Sequence, residues 1–365
     1  MAQKRFNALA GSKVFSALAV LALLLIFNLF FTPNFFYISI MDGHLFGTLI
    51  DILKRGSSLV LLSLGMTLVI ASTGGADLSV GAVIAITGAM AARLIGGQLV
   101  IVDGVQTYVS QTPMALAIAL SLLLALAFGA WNGFLVAYGK IQPIVATLVL
   151  MVAGRGIAQL ITDGQILTIY YKPFHFISYD GYVLGLPFPV YIALAVFIIA
   201  LLLTKKTSLG LFTAAVGGNA PASWYAGINE KAVKMFSFIF CAFCAGVAGL
   251  IVCSNIKASD ANNAGLNMEL DAILAAVIGG TNMAGGKFSL TGGVVGALLI
   301  QTLTTTIYSF GVPPEVSLVV KALVVVLVCF LQSSIAAGFF TRIGGRLGER
   351  LNTGKAAGAA RGNAA

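Results

Sequence analysis

Between residues 14 and 334 the chain is a succession of ten apolar windows, most of about 15–22 residues, the length an α-helix needs to cross a bilayer. They are 14–31, 57–72, 81–97, 114–138, 143–162, 189–203, 234–253, 272–284, 289–310 and 316–334. With 59% apolar residues, 9% charged residues and a mean hydropathy of +1.00, no soluble core accounts for them, because about a quarter of a soluble domain is charged. The fold class expected is all-α: a polytopic membrane protein of about ten transmembrane helices, some short and glycine-interrupted, with a weak internal repeat.

The interruptions are the second constraint. TGGADLSVGAV (73–83) lies between two lipid-compatible helices. A backbone broken at membrane depth survives only where protein or a water-filled cavity satisfies its freed N–H and C=O groups. GGADLSVGAV, from Gly74, also aligns with GGKFSLTGGV, from Gly285: Gly74, Gly75, Gly81 and Val83 match Gly285, Gly286, Gly292 and Val294. Paired short segments broken by glycine point to a translocation site, although glycines also serve simply to let helices pack closely.

The formal charge of +9 does not mark a nucleic-acid binder, because Lys and Arg fall in short clusters between apolar spans rather than on one face. Alternation from a cytoplasmic N-terminus puts Lys140, Lys205, Lys206, Lys231, Lys234, Lys287, Arg342, Arg346 and Arg350 inside, most acids outside, and both termini in the cytoplasm. Lys54 and Arg55 are the exceptions; they close residues 44–53, expected as an amphipathic helix along the membrane surface. The first apolar run is expected to be a retained helix, being too long for a secretory signal and lacking a small-x-small cleavage site. Residues 1–13 are then a cytoplasmic N-terminus, 14–335 the transmembrane domain and 336–365 a largely disordered cytoplasmic tail. Cys241, Cys244, Cys253 and Cys329 all fall in apolar runs and are expected to pack rather than to carry redox or metal chemistry.

Polar residues at membrane depth need a reason. Arg155 lies about twelve residues, or ~18 Å, into its span, with Asp77, Asp163 or Asp271 as candidate partners. Lys321, nearer the outer surface, either snorkels or functions. Asn132, beside Trp131, suits a sugar or a packing hydrogen bond between helices. The segment DANNAGLNMELD (260–271) offers Asp260, Asn262, Asn263, Glu269 and Asp271 at the outer mouth; such groups grip polyhydroxylated solutes and also suit a wet loop. With Asp77, Ser79, Asn132 and Arg155 they form the candidate translocation path. The outer loop 163–189, with Tyr170, Tyr171, His175 and Tyr179, either meets a partner or caps the bundle.

Chemistry within the chain has no obvious seat. The run from Thr281 to Phe288 contains Gly286 and Lys287 but lacks the first glycine and the magnesium-binding hydroxyl of a phosphate loop. Two histidines build neither a metal cluster nor a Ser/His/Asp set. No cofactor or metal is expected here, so active transport would draw its energy from another subunit or from an ion gradient. The loop 204–234, between the sixth and seventh spans, carries a short helix-compatible stretch, 220–226, closed by Gly227. A short rigid helix below the membrane is a handle for a soluble motor.

At these residues the chain resembles the permease subunits of bacterial ATP-binding-cassette importers for monosaccharides, the ribose, galactose, arabinose and galactofuranose group. The resemblance covers about residues 14–335. It rests on TGGADLSVGAV, on IQPIVATLVLMVAGRG from Ile141, on AVGGNAPASWYAGIN from Ala215 and on AAVIGGTNMAGGKFSLTGGVVGALLIQ from Ala275. DGHLFGTLIDILKRG from Asp42, VAGRGIAQLITDGQI from Val152 and DANNAGLNMELDAILAAVIGG from Asp260 look most like the galactofuranose permease of that group. The resemblance implies a permease dimer, homodimeric or heterodimeric, in the inner membrane, and a periplasmic sugar-binding protein that delivers the substrate. It also implies two cytoplasmic ATP-binding subunits, which hold the ATP and magnesium and dock around Asn219, Ala222, Ser223, Ala226, Gly227 and Ile228. The family pattern usually has Ile where this chain has Ala76, and GGNPEAA-like residues where it has GGNAPAS, departures that touch packing and docking detail. An ion-coupled secondary sugar carrier is the alternative, since discontinuous helices and a buried Arg155 would serve it equally.

Overall fold

The computed structural model describes residues 13–41, 43–96, 98–102, 105–110 and 112–331. The expected tail, 336–365, and the N-terminal residues 1–12 lie outside them. In chain order the helices are α1 (Lys13–Phe31), α2 (Thr48–Thr73), α3 (Val80–Ile95), α4 (Met114–Ala137), α5 (Pro143–Ile161), α6 (Lys172–His175), α7 (Phe188–Lys206), α8 (Leu209–Gly218), α9 (Ala220–Tyr225), α10 (Glu230–Ile256), α11 (Met268–Ile278) and α12 (Leu290–Ser309), all in a unit that ends at Gly311. A second unit, from Val312, contains α13 (Pro314–Leu331), where the tenth span was expected. Short antiparallel pairs join the helix ends: β1 (Ser39–Met41) with β2 (His44–Phe46), β3 (Gln98–Val102) with β4 (Val105–Val109), β5 (Leu167–Thr168) with β8 (Ala258–Ser259), and β6 (Tyr182–Val183) with β7 (Leu186–Pro187).

The chain is an all-α polytopic membrane protein. Among the described residues, α1, α2, α4, α5, α7, α10 and α12 are long and apolar enough to cross a bilayer, and α3 and α8 are shorter apolar helices. α11, expected over 272–284, begins earlier and stops after 11 residues, at the glycine pair Gly279 and Gly280.

The bundle is organised around α2. From Gly56 to Ser72 every residue is buried, so this stretch of the helix has no lipid face and belongs in the middle. α10 crosses it at Gly65, where a Cβ would lie 2.7 Å from Cys241 Cα. Close backbone approach matters here, because lipid tails are as apolar as leucine and only packing and hydrogen bonds hold the helices together. Cys241, Cys244 and Cys253 are free and buried on α10. Gly129 of α4 meets α10 in the same way, its notional Cβ 2.5 Å from that of Ala242. The outer helices do the reverse: α1, α4, α5 and α7 expose Leu23, Leu123, Val149 and Ile199, apolar surface on a scale that marks a membrane contact. α1 is pinned to α12 by a buried hydrogen bond from Asn28 Nδ2 to Thr306 Oγ1, 2.8 Å.

One expectation needs correction. No surface helix forms over 44–53: residues 44–46 are β2, and from Thr48 the chain runs straight into α2 with Ile50 and Ile52 buried. Extending a helix already nucleated and packed is cheaper than nucleating a separate short one. The segment 204–234 also holds α8, which packs on α2 with Thr213 and Val216 buried. The segment around α9 is largely exposed.

Candidate functional site

A cavity of about 690 Å³ lies at the end of the bundle where α2 begins. Asp51, Lys54, Arg55 and Ser58 come from the first part of α2, Asn255 from the end of α10, and Asp271 from the first turn of α11. Gln301, Thr304, Thr305 and Tyr308 come from α12. α11 begins within the bundle rather than at its rim. Ser259 Oγ lies 3.7 Å from the notional Cβ of Gly88, and the chain then descends along α3 to Gly265, packed on the carbonyl of Gly81. Seven residues of α-helix make that descent about 10 Å. The cavity therefore reaches the positive pole of a half-helix, which carries Asp271 in its first turn. Lys54 is tethered to the wall, its Nζ donating to Tyr179 O at 3.2 Å and standing 5.8 Å from the ring centroids of Tyr179 and Tyr182. The two bases that broke the charge alternation thus line a polar chamber rather than a lipid interface.

Of the nine residues expected along a path, Asp271 lines this cavity. Asp77, Ser79 and Asn132 meet elsewhere, in a chain of hydrogen bonds. The Ser79 N–H and Oγ donate to Asp77 Oδ1 at 2.9 and 2.6 Å, and Asn132 Nδ2 donates to Ser79 Oγ at 2.8 Å. Each of the three is 1% exposed, so this conformation closes them to solvent. They brace the first broken segment, whose N–H groups are taken up by protein. Gly74 donates to Ile70 O at 2.9 Å, Gly75 to Thr73 Oγ1 at 3.1 Å and Leu78 to Thr147 Oγ1 at 3.1 Å. That is how a membrane-depth interruption is tolerated.

Arg155 pairs with none of the acids expected for it. Asp163 bonds Arg93 at 3.1 Å, Asp77 holds Ser79, and Asp271 lies at the cavity. Arg155 Nη1 instead donates to the carbonyls of Ala261, Asn262 and Ala264 at 3.2, 3.3 and 2.5 Å, and Gln159 Nε2 donates to Asn262 Oδ1 at 2.5 Å. Residues 260–267 form the irregular descent beside α3, so their carbonyls lack a helical ladder, and a guanidinium with five donors satisfies them. At the start of the descent Asp260 winds the chain, accepting the N–H of Asn262 and Asn263 at 3.0 and 3.2 Å and Asn263 Nδ2 at 2.7 Å. The Asn263 amide above all holds the Asp260 carboxyl below the usual carboxylate range against partial desolvation. With its folded pKa depressed, the stabilisation from Asp260 is present above the ordinary carboxylate range and lost only as pH falls through the lowered value. Glu269, 4% exposed, packs its Oε2 against Gly81 without a hydrogen-bond donor among the described residues. The segment expected as a wet mouth is thus in large part a re-entrant strap.

Arg155→Met should leave two part-buried carbonyls unsatisfied, a loss of about 2–4 kcal/mol. Thermal unfolding of the purified protein in detergent reads it as a lowered midpoint, with Arg155→Lys falling between Met and the natural residue. An unchanged midpoint in the Met variant would remove the strap from the account.

At the other end of α2, a 26-residue helix about 39 Å long, stands α9. Asn219 caps it, its Oδ1 accepting the Ala222 N–H at 3.0 Å. Ser223 is buried and donates through Oγ to Asn219 O at 2.9 Å. Ala226 closes the helix, and Gly227 follows at φ +81°, the left-handed stop its sequence suggested. Asn219 and Ser223 therefore build the helix, whereas Ala222, Ala226 and Gly227 are exposed on it. Sequence reasoning passed over Trp224 and Tyr225, which are 64% and 83% exposed and pack edge to face at 5.2 Å. A Trp-Tyr pair before a glycine stop in a polar stretch was the signal. Trp224 also lines two adjoining clefts of about 560 and 400 Å³.

Known proteins agree with this architecture. The family profile described as branched-chain amino acid transport system / permease component matches residues 48–329. The galactofuranose transporter permease protein YtfT of Escherichia coli (strain K12) is 49% identical over 317 residues, 87% of this chain and 88% of that one. The fructose import permease protein FruF of Bifidobacterium longum (strain NCC 2705) is 37% identical, over 80% of this chain and 79% of its own. The ribose import permease protein RbsC of Escherichia coli (strain K12) is 35% identical, over 87% and 92%. No solved structure matches the chain.

Proposed function

This chain belongs to the branched-chain amino acid transport system / permease component family, and on that premise we propose that it is the membrane-spanning permease of an ATP-binding-cassette importer for a monosaccharide. The cavity wall carries the reading toward a sugar. A branched alkyl side chain calls for a continuous apolar pocket, whereas Asp51, Asn255, Asp271, Gln301, Thr304 and Thr305 converge here among apolar surface from Leu59, Ile251, Val252, Met268 and the Tyr308 ring. Those carboxylates, amides and hydroxyls pair with sugar hydroxyls. The relatives named for galactofuranose, fructose and ribose support the same class, and the first of them favours a galactofuranose-like substrate.

On the importer reading, α9, the exposed capped helix, faces the cytoplasm and the cavity faces the periplasm. Cytoplasmic ATP-binding subunits hold the ATP and magnesium and dock on α9. A periplasmic sugar-binding protein delivers the substrate, and a second permease subunit, identical or related, completes the pathway. Hydrogen bonds in the cavity exchange readily, and tight capture belongs to the binding protein, since a path that gripped the sugar would stall. Vesicles holding this permease with its ATPase and binding protein should accumulate sugar only when ATP is supplied. Uphill uptake by the chain alone under a proton or sodium gradient would replace this reading with the ion-coupled one.

A further inference from the structure

The two glycine interruptions, far apart in sequence, meet at one point, and the helix that leads into α9 ends on it. Gly286 N–H donates to Ala71 O at 2.9 Å. A Cβ on Gly217, in the last turn of α8, would lie 1.7 Å from Ala71 O and 2.6 Å from Gly286 N. A Cβ on Gly285, which sits at φ +85°, would lie 2.7 Å from Gly217 O and 3.2 Å from Gly74 N. Three stretches of backbone therefore touch with no side chain between them. Contacts of this kind cannot be slackened by a rotamer change, so a displacement of one segment is passed to the others.

Each stretch leads somewhere useful. Gly217 is separated from α9 by Gly218 and Asn219 alone. Ala71 and Gly74 end α2, and Gly285 and Gly286 precede α12. α2 and α12 pack against each other and each supplies cavity residues, Asp51 to Ser58 and Gln301 to Tyr308. We propose that Gly217 is a positioning residue that makes a single strut between the α9 handle and both cavity-lining helices, so that a push on α9 shifts the two walls together. This rests on the importer reading above.

The test compares Gly217→Ala with Gly218→Ala in the complete complex of permease, ATPase and binding protein. A methyl on Gly218 meets no atom within 4 Å, so that variant controls for composition and helix propensity. Gly217→Ala must wedge the three backbones apart. Sugar moved per ATP hydrolysed should fall about tenfold in Gly217→Ala, with hydrolysis itself retained, and stay unchanged in Gly218→Ala. Equal coupling ratios in the two variants would overturn the proposal. Failure of the unsubstituted complex to move sugar with ATP would instead overturn the importer reading. Should Gly217→Ala not assemble, hydrogen exchange on the unsubstituted complex decides: segments 71–76 and 282–288 should change protection together when nucleotide is trapped, and a change in one without the other rejects the strut.

Discussion

Sugar uptake should fall about thirtyfold when Asp271 and Gln301 are both replaced by leucine, while ATP hydrolysis by the assembled complex continues. The two side chains enter the cavity from different helices, α11 and α12. Each offers a transiting hydroxyl one exchangeable hydrogen bond, worth about 1 kcal/mol net. Losing both removes about 2 kcal/mol, and 1.4 kcal/mol is a factor of ten. The readout is the initial rate of labelled-sugar entry into proteoliposomes containing the binding protein and the ATPase. Neither residue is fully buried, and the thermal midpoint of the same variant separates a transport defect from a folding one. Uptake at the original rate would place the sugar's route outside this cavity.

A change of comparable size is expected at the opposite end. Trp224→Ala and Tyr225→Ala should each weaken binding of the ATPase subunit by about thirtyfold, because exposed aromatics that fill a partner's pocket are the usual energetic anchors and contribute about 2 kcal/mol or more. Asn219 and Ser223 already satisfy the short helix from within, so α9 should persist without either ring. The measurement is a titration of purified ATPase against the variants in nanodiscs. Full affinity with both rings removed would mean that the ATPase reads some other surface. The Asn219→Ala variant serves as a contrast: loss of an N-cap costs about 1 kcal/mol of local helix stability, and it should soften docking only through the helix.

Much of this was legible before any coordinates, and the reasons are local. The apolar windows at 114–138 and 143–162 became α4 and α5 within a residue, since a lipid-spanning helix is set by hydropathy over its own length. Gly227 read as a helix stop because a left-handed residue after a short helix is a property of that residue. The aligned glycines Gly74 and Gly285 both adopt positive φ, a freedom that belongs to the residue type itself. What was not legible was which polar group meets which. Arg155 was given an acid because charges pair with charges, yet it satisfies backbone carbonyls 106 to 109 residues away. Asp77, Ser79 and Asn132 were placed along a wet path, and they close on one another inside the chain. The cavity residues Asn255, Gln301 and Thr304 sit in apolar stretches that look like ordinary span.

The sequence by itself determined that this is a polytopic helical membrane protein, where its helices break, and where a short helix closed by a glycine stands. Each of these follows from transfer energy or backbone freedom along a contiguous stretch. Only the tertiary structure decided that α2 lies in the middle, that a polar chamber opens between α2, α10, α11 and α12, and that the two breaks touch the end of α8. Those facts depend on which helix faces meet. Facing is set by close backbone approach at residues such as Gly65, Gly129 and Gly217, where the absence of a side chain has meaning only once the neighbouring helix is in place.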